Sequence, residues 1–338
     1  MHEVETMAYA GDVPWHGLGK QVSHTMTPQE MLEAAGLDWK VSKRPAYTSQ
    51  QPYTQNLYDP SEEGFMHVPD QYFVCRDSDN SVLSHCGSSY VPFQNDEVMQ
   101  FFKKFTDAGK MQMETAGSLK MGRNIWGLAK ITGDFTLAGG DEISGYMLLN
   151  NSHQVGKAMT IMLTPIRVVC NNTLTLALQQ EGTRFRVPHL QMFDEQIAKA
   201  AEQALGISDI AMQDFKQKAD FLSSVKATTK NVEHYVADLF QPALIPERTK
   251  AGQNLPDLRD ELKGTALKVL DAIETSPGSD MKSAKGTWGG VFNGVTYVMD
   301  HQRRSQEEGN ALHSAWFGSA ANVKRKALDT ALEFAKAA

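Results

Sequence analysis

The chain has 338 residues, 41% of them hydrophobic and 22% charged, which is the composition of an ordinary globular protein long enough for two domains. Its 33 Lys and Arg against 40 Asp and Glu give a net charge of −7, which argues against indiscriminate polyanion binding but not against a local basic groove. No run approaches the roughly 20 apolar residues that span a bilayer, so no membrane role is expected.

The start, MHEVETMAYA, is acidic and lacks the basic and apolar regions of a signal peptide, so a cytoplasmic location is expected. VPWHGLG (Val13–Gly19) places Trp15 and His16 in a glycine-rich turn, either as a loop anchor or as a ligand-facing pair. Thr27-Pro28-Gln29-Glu30 is a helix start: Thr27 caps, Pro28 takes the first helical position and Glu30 closes a capping box. That helix ends near Gly36, and the rest to about residue 60 reads as loop, with Ser49–Glu63 at the surface. QYFVCR, a turn at Asp77–Asn80 and SVLSHCGSSYVPF then predict a β-hairpin. Asn95 caps a predicted helix with Val98, Phe101, Phe102 and Phe105 on one face, ended by Gly109.

Four strand-like runs follow, MQMETAGSLK, GRNIWGLAKI, DEISGYMLLN and GKAMTIMLTP, separated by short turns that favour an antiparallel meander. IRVVC is predicted to enter a helix capped by Asn171 or Asn172 and stopped by Gly182, and TRFRVPH is a short extended segment. After His189 the pattern is helical to the end, including WGGVFNGVTYVMDH, whose small residues predict close packing on a neighbouring helix or subunit. The fold class expected is α+β: an antiparallel sheet core with hairpin-plus-helix units, then a helical C-terminal region. The expected domains are residues 1–190, the mixed core, and 191–338, helices packed on that core or on neighbouring subunits.

Walker A, GxGxxG and GxSxG motifs are all missing, so no hydrolase or nucleotide-binding activity and no nucleotide cofactor is expected. Cys75, Cys86 and Cys170 form no disulfide framework and no CxxC or HxxxH spacing, so no metal is expected either. Lys110–Leu190 carries eight basic and five acidic residues, a local balance of +3 that leaves −10 for the remainder. Its cations Lys120, Arg123, Lys130, Lys157, Arg167, Arg184 and Arg186 are spread over adjacent predicted strands and would trace a groove for a phosphodiester backbone. Trp126, Tyr146 and Phe185 lie among them as candidate stacking platforms. Asn150, Asn151, Asn171 and Asn172 are candidate donors to phosphate or base edges, with the predicted helix start at Asn172 as an anion site. Arg167, in an apolar run, fits either phosphate contact or an internal salt bridge.

Six motifs carry a resemblance: VPWHGLG, YVPFQN, TAGSLKMGRNIWGLAKI, LLNNSHQVGKAM, TPIRVVCNNTL and WGGVFNGVTYVMDH. Together they resemble the phage/plasmid-like family known as domain of unknown function 932. The pattern of hairpin, sheet and helix is further similar to phage single-strand annealing proteins of the Redβ and Erf kind. That resemblance implies a single-stranded-DNA-binding and annealing protein of a phage or plasmid, acting in recombination or replication without a cofactor. It implies a homo-oligomer, ring or filament, with single-stranded DNA as partner and a host or phage replication protein as a further one. The alternative function is a host-directed interaction protein, such as a defence inhibitor, that mimics DNA through acidic faces including Glu62–Glu63 and Asp77–Asp79. A cryptic enzyme using His16 or His153 is a third.

Overall fold

A computed structural model describes residues 4–11, 19–49, 65–133, 135–137, 140–167, 172–173, 184–190, 213–245, 255–302, 314 and 318–338. The chain opens with two strands paired in parallel, β1 (Val4–Ala10) and β2 (Lys20–Val22). After helix α1 (Pro28–Ala34), a separate antiparallel sheet is formed by β3 (Val41–Ser49), β4 (Phe65–Arg76) and β5 (Val82–Cys86). Helices α2 (Asn95–Gln100) and α3 (Lys103–Asp107) lead into β6 (Met111–Leu119), β7 (Asn124–Ile131), β8 (Phe135–Thr136), β9 (Glu142–Ser152) and β10 (Met159–Arg167). β11 (Asn172–Thr173) and β12 (Arg184–Val187) both pair with β10. The large sheet runs β11-β10-β9-β7-β6-β1-β2, antiparallel except for β1–β2, with β8 beside β9.

Local chemistry accounts for these boundaries. The Thr27 hydroxyl accepts the Glu30 N–H at 3.2 Å and the Glu30 carboxylate accepts the Thr27 N–H at 2.8 Å, the reciprocal capping box expected of α1. The β6–β7 reversal puts Lys120, Met121 and Gly122 at positive φ (56°, 55° and 79°). At Gly122 a side chain would also meet the Arg76 guanidinium and the Trp39 ring, each 3.2 Å from an added Cβ, so glycine answers two demands at once.

Three expectations are corrected here. β1, β2 and β3 lie where helix and loop were expected. Met7–Ala10 of β1 are all buried, so no polar alternation announces the strand. The helix expected over 95–109 is split into α2 and α3, and Gln94, not Asn95, precedes it. Asn95 is 1% exposed and its amide is turned inward. The helix expected at Asn172 is instead a strand: Asn172 pairs with Arg167 and Thr173 with Ile166, antiparallel. Asparagine serves turns as well as caps, and only the pairing decides between them. Ser49–Glu63 and the stop at Gly182 fall largely or wholly outside the described residues.

Both faces of the meander carry buried side chains. One face sets Ile125, Ala129, Met147, Leu149 and Ile161 against Phe101 and Phe102 of the helix pair. The other gathers Tyr9, Trp126, Leu128, Leu148 and Met162. The helices form another core: α4 (residues 213–224), α5 (Thr229–Phe240), α6 (Thr265–Thr275), α7 (Trp288–Tyr297) with a π-turn at Val298–Gln302, and α8 (Ser319–Lys336). Trp288 lies 5.4 Å from the rings of both Tyr235 and Phe334. Gly294 of α7 meets α6 closely, since a Cβ there would sit 2.5 Å from Ile273. This is the tight helix contact its small residues predict. Lys324 and Asp300 pair at 2.6 Å with 1% and 7% of their side chains exposed, and burial lowers the lysine pKa against the pull of Asp300. Leu137 and Ile143 of the meander join this helical core.

Gly117 of β6 marks the tightest point of the second face, since a Cβ there would enter the Trp126 ring and lie 2.5 Å from the Thr6 carbonyl oxygen. Gly117→Ala is expected to cost about 1–3 kcal/mol by overpacking, read as a lowered urea midpoint with unchanged slope. An unchanged midpoint would contradict that contact.

Candidate nucleic-acid interface

Strand register fixes where the expected groove residues fall. One row across the sheet is Trp126–Asn150–Thr160–Arg186, the next is Leu128–Leu148–Met162–Arg184, and the next is Lys130–Tyr146–Thr164. Trp126 and Arg186 therefore share a row three strand steps apart, about 14 Å. Trp126 is 1% exposed and its indole N–H donates to the Thr115 hydroxyl at 2.9 Å, so a base cannot stack on it. Phe185 is half-buried against the core. Trp126 and Phe185 thus pack into the fold, and Tyr146, the third expected platform, is partly buried beside Trp126 and Leu148, because both faces of the sheet carry buried side chains. Asn150 and Asn151 are buried too, the latter donating to the Phe93 carbonyl.

The cations separate by position. Lys120 and Arg123 lie in the β6–β7 turn, Lys157 in the β9–β10 turn, and Arg186 pairs opposite Thr160 near the start of β10. Antiparallel order brings these to one end of the sheet, where the His153 N–H donates to the Arg123 carbonyl at 2.9 Å and ties the two turns together. Lys130 is near the opposite end of β7, about 20 Å away. The Arg167–Asn172 pair is also at that far end. The side chains of Arg167, Asn172 and Arg184, and all of Asn171, lie outside the described residues. Of the eleven residues expected to line one groove, the strand register therefore puts Lys120, Arg123, Lys157 and Arg186 at one end of the sheet and Lys130, Arg167 and Asn172 toward the other.

What the turn end does gather is Lys120, Arg123, Lys157 and Arg186, none with a carboxylate partner among the described residues, and exposed Met121, Val155 and Leu190. Several cations elsewhere on this half are engaged. Arg44 pairs with Asp77 at 2.7 Å, Lys40 with Asp96 at 2.6 Å, and Arg76 with Glu5 and Asp79 at 2.8 and 3.0 Å. Arg76 also lies over the Trp39 ring at 5.1 Å. The acids Asp77 and Asp79, expected as a DNA-mimicking surface, are thus occupied by arginines, and hydrogen bonds from Ser42 and Ser81 hold both carboxyls below their ordinary range. Glu62 and Glu63 lie outside the described residues.

Beneath the turn end is a buried polar cluster that sequence reasoning missed as a unit, although Tyr90 and Asn95 sit in the YVPFQN motif, His153 in LLNNSHQVGKAM and His189 in TRFRVPH. The Asn95 amide donates to the Leu37 and Trp39 carbonyls at 3.0 and 3.3 Å. Its oxygen must therefore accept, at 3.0 Å, from His153 Nε2, which fixes that tautomer. His189 directs Nδ1 to the Val91 carbonyl at 3.2 Å and stacks on Tyr90 at 5.0 Å. His153 Nδ1, His189 Nε2 and the Tyr90 hydroxyl are buried without a hydrogen-bond partner. Burial first, then the mutual repulsion of the two rings, lowers His153 to about 3, and burial lowers His189 to about 4. A ring so held stays neutral and enclosed, which removes His153 as an exposed acid–base catalyst. His16 lies outside the described residues. Among the described residues no three His, Cys, Asp or Glu gather as a metal site, and no helix is long and apolar enough to cross a membrane.

These lowered values make stability depend on pH in a stated direction. Unfolded histidine takes up its proton near pH 6.5 while the folded rings resist until about 4 and 3, so stability is whole above 6.5 and is lost as pH falls. From pH 7 to pH 5 the two rings are expected to lose on the order of 4 kcal/mol together. Urea unfolding at both values checks this, with His189→Asn removing about half the difference. Equal midpoints at the two pH values would contradict it.

No curated protein and no solved structure matches the chain. A family match does, running over residues 82–316 and so taking in the turn end, the buried histidines and most of the helical core. With more than half of its length covered, the chain belongs to the family described as a domain of unknown function, DUF932.

Proposed function

We propose that the protein binds single-stranded DNA at the turn end of the meander and anneals complementary strands, as a phage or plasmid recombination or replication protein. The observation that supports this is the group of cations Lys120, Arg123, Lys157 and Arg186, gathered at one end of the sheet and without a carboxylate partner among the described residues, while Lys40, Arg44, Arg76 and Lys103 elsewhere on this half are paired. From β12 to the β6–β7 turn it extends about 15–20 Å, four strand spacings, enough to follow several phosphates. Met121, Val155 and Leu190, 64%, 46% and 65% exposed, take the place of the aromatics as apolar contacts for unstacked bases. Annealing needs no covalent step: neutralising phosphates on two strands lowers their repulsion while exposed bases sample register. Self-association would extend the cationic stripe from one copy to the next.

Anisotropy of a labelled oligothymidine between 50 and 200 mM salt tests the reading. Lys157→Ala with Arg186→Ala is expected to flatten the log–log salt slope by about 1.4, from two phosphate contacts at about 0.7 each. Met121→Ser with Leu190→Ser is expected to weaken binding and leave that slope alone. Wild-type protein that ignores the oligonucleotide at 50 mM salt, or a slope untouched by the charge changes, would sink the proposal.

A further inference from the structure

The helical region holds a cavity of about 400 Å3, far from the turn end and between the starts of α5 and α7 and the side of α6. Local sequence builds its edges. Thr228 caps α5 by accepting the Asn231 N–H, Thr287 caps α7 by accepting the Gly290 N–H, and the Ala227 N–H donates to the Gly286 carbonyl at 3.1 Å. Val232, Leu270, Ile273 and Val291 give the cavity an apolar lining.

Glu233, 2% exposed, is one of the lining residues. One of its oxygens accepts the Leu258 N–H at 3.2 Å, and among the described residues neither oxygen has a cationic partner. A buried carboxylate without a counter-charge is costly, and proteins keep one where something supplies the missing charge. Arg259 and Lys285 line the same cavity but are exposed, as are Glu274 and Asp280, and none of these four pairs with another. Two acids and two bases at the mouth balance each other. The one buried charged side chain of the lining is Glu233, faced only by the partial positive charge of the two helix starts.

The geometry points to a binding site for a small organic monocation, a primary amine on a short apolar stem. Its ammonium group would meet Glu233 and its stem would lie on the Val232, Leu270, Ile273 and Val291 surface. A cavity of this size is at the small end of ligand sites, so the ligand is a metabolite-sized amine and not a macromolecule. Ammonium supplies what the site lacks: up to three donors and one positive charge.

Calorimetric titration of the full chain with n-butylammonium chloride, against 1-butanol as the uncharged match, tests this. Butylammonium is expected to bind and butanol not to. Glu233→Gln, which keeps an acceptor for the Leu258 N–H but removes the charge, is expected to weaken butylammonium by about tenfold or more. Should that variant fail to fold, Ala227→Leu narrows the cavity and leaves Glu233 in place, and it too is expected to abolish binding. Wild-type protein that does not bind butylammonium, or binding undiminished in the folded variant, overturns the assignment. Neither result bears on DNA binding at the turn end.

Discussion

The side chain of Asn95 is the constraint on which the N-terminal half depends. It is buried, and it makes three hydrogen bonds to two distant parts of the chain: the Leu37 and Trp39 carbonyls before β3, and His153 after β9. Its own backbone opens α2. One amide therefore locks the helix pair, the small sheet and the turn end of the meander in a single arrangement. An amide suits this place because it supplies donor and acceptor without charge, whereas a carboxylate there would face two carbonyl oxygens with no proton to offer. The neutral state of His153 follows from the same geometry, since the proton is committed to Asn95 and the enclosed ring has no room for a second charge.

The meander was legible because its strands are bounded by glycine and asparagine turns whose chemistry is local. The α+β class and the helical C-terminal region followed from the same kind of signal. Where the reading failed, the deciding interaction lay far away in sequence. Asn95 looked like a cap because caps and buried amide bridges use the same residue, and only Leu37, Trp39 and His153 distinguish them. Asn172 looked like a helix start until its pairing with Arg167 made it a strand. Trp126 and Lys130 share one face of β7, but alternation along a strand says which face a residue takes and nothing about whether that face is covered.

Charge shows the same limit from another side. A total of −7 says little about any one surface, because pairing decides which charges are available. Arg76, unremarked in the sequence, is enclosed by Glu5, Asp79 and Trp39 and serves the fold. Lys157 and Arg186, no more prominent in the sequence, are exposed and unpaired. Acidity and a basic end coexist because Glu5, Asp77, Asp79, Asp96 and Asp107 are spent on neighbouring arginines and lysines while the turn-end cations are not.

Burial on both faces also determines where the meander can meet a large partner. A sheet with Ile125, Met147 and Leu149 enclosed on one side and Trp126, Leu148 and Met162 on the other has no open face to lay along a polymer. Contact must come at strand ends, where reversals carry side chains outward and backbone groups are already satisfied within their turns. Of the two ends, the one at Lys120–Arg123 and Gln154–Lys157 is braced from below by His153, His189 and Arg76, so its exposed tips stand on a buried polar base. On the proposed function this bracing fixes where the backbone presents the cations, so that on meeting phosphate only side-chain freedom is lost.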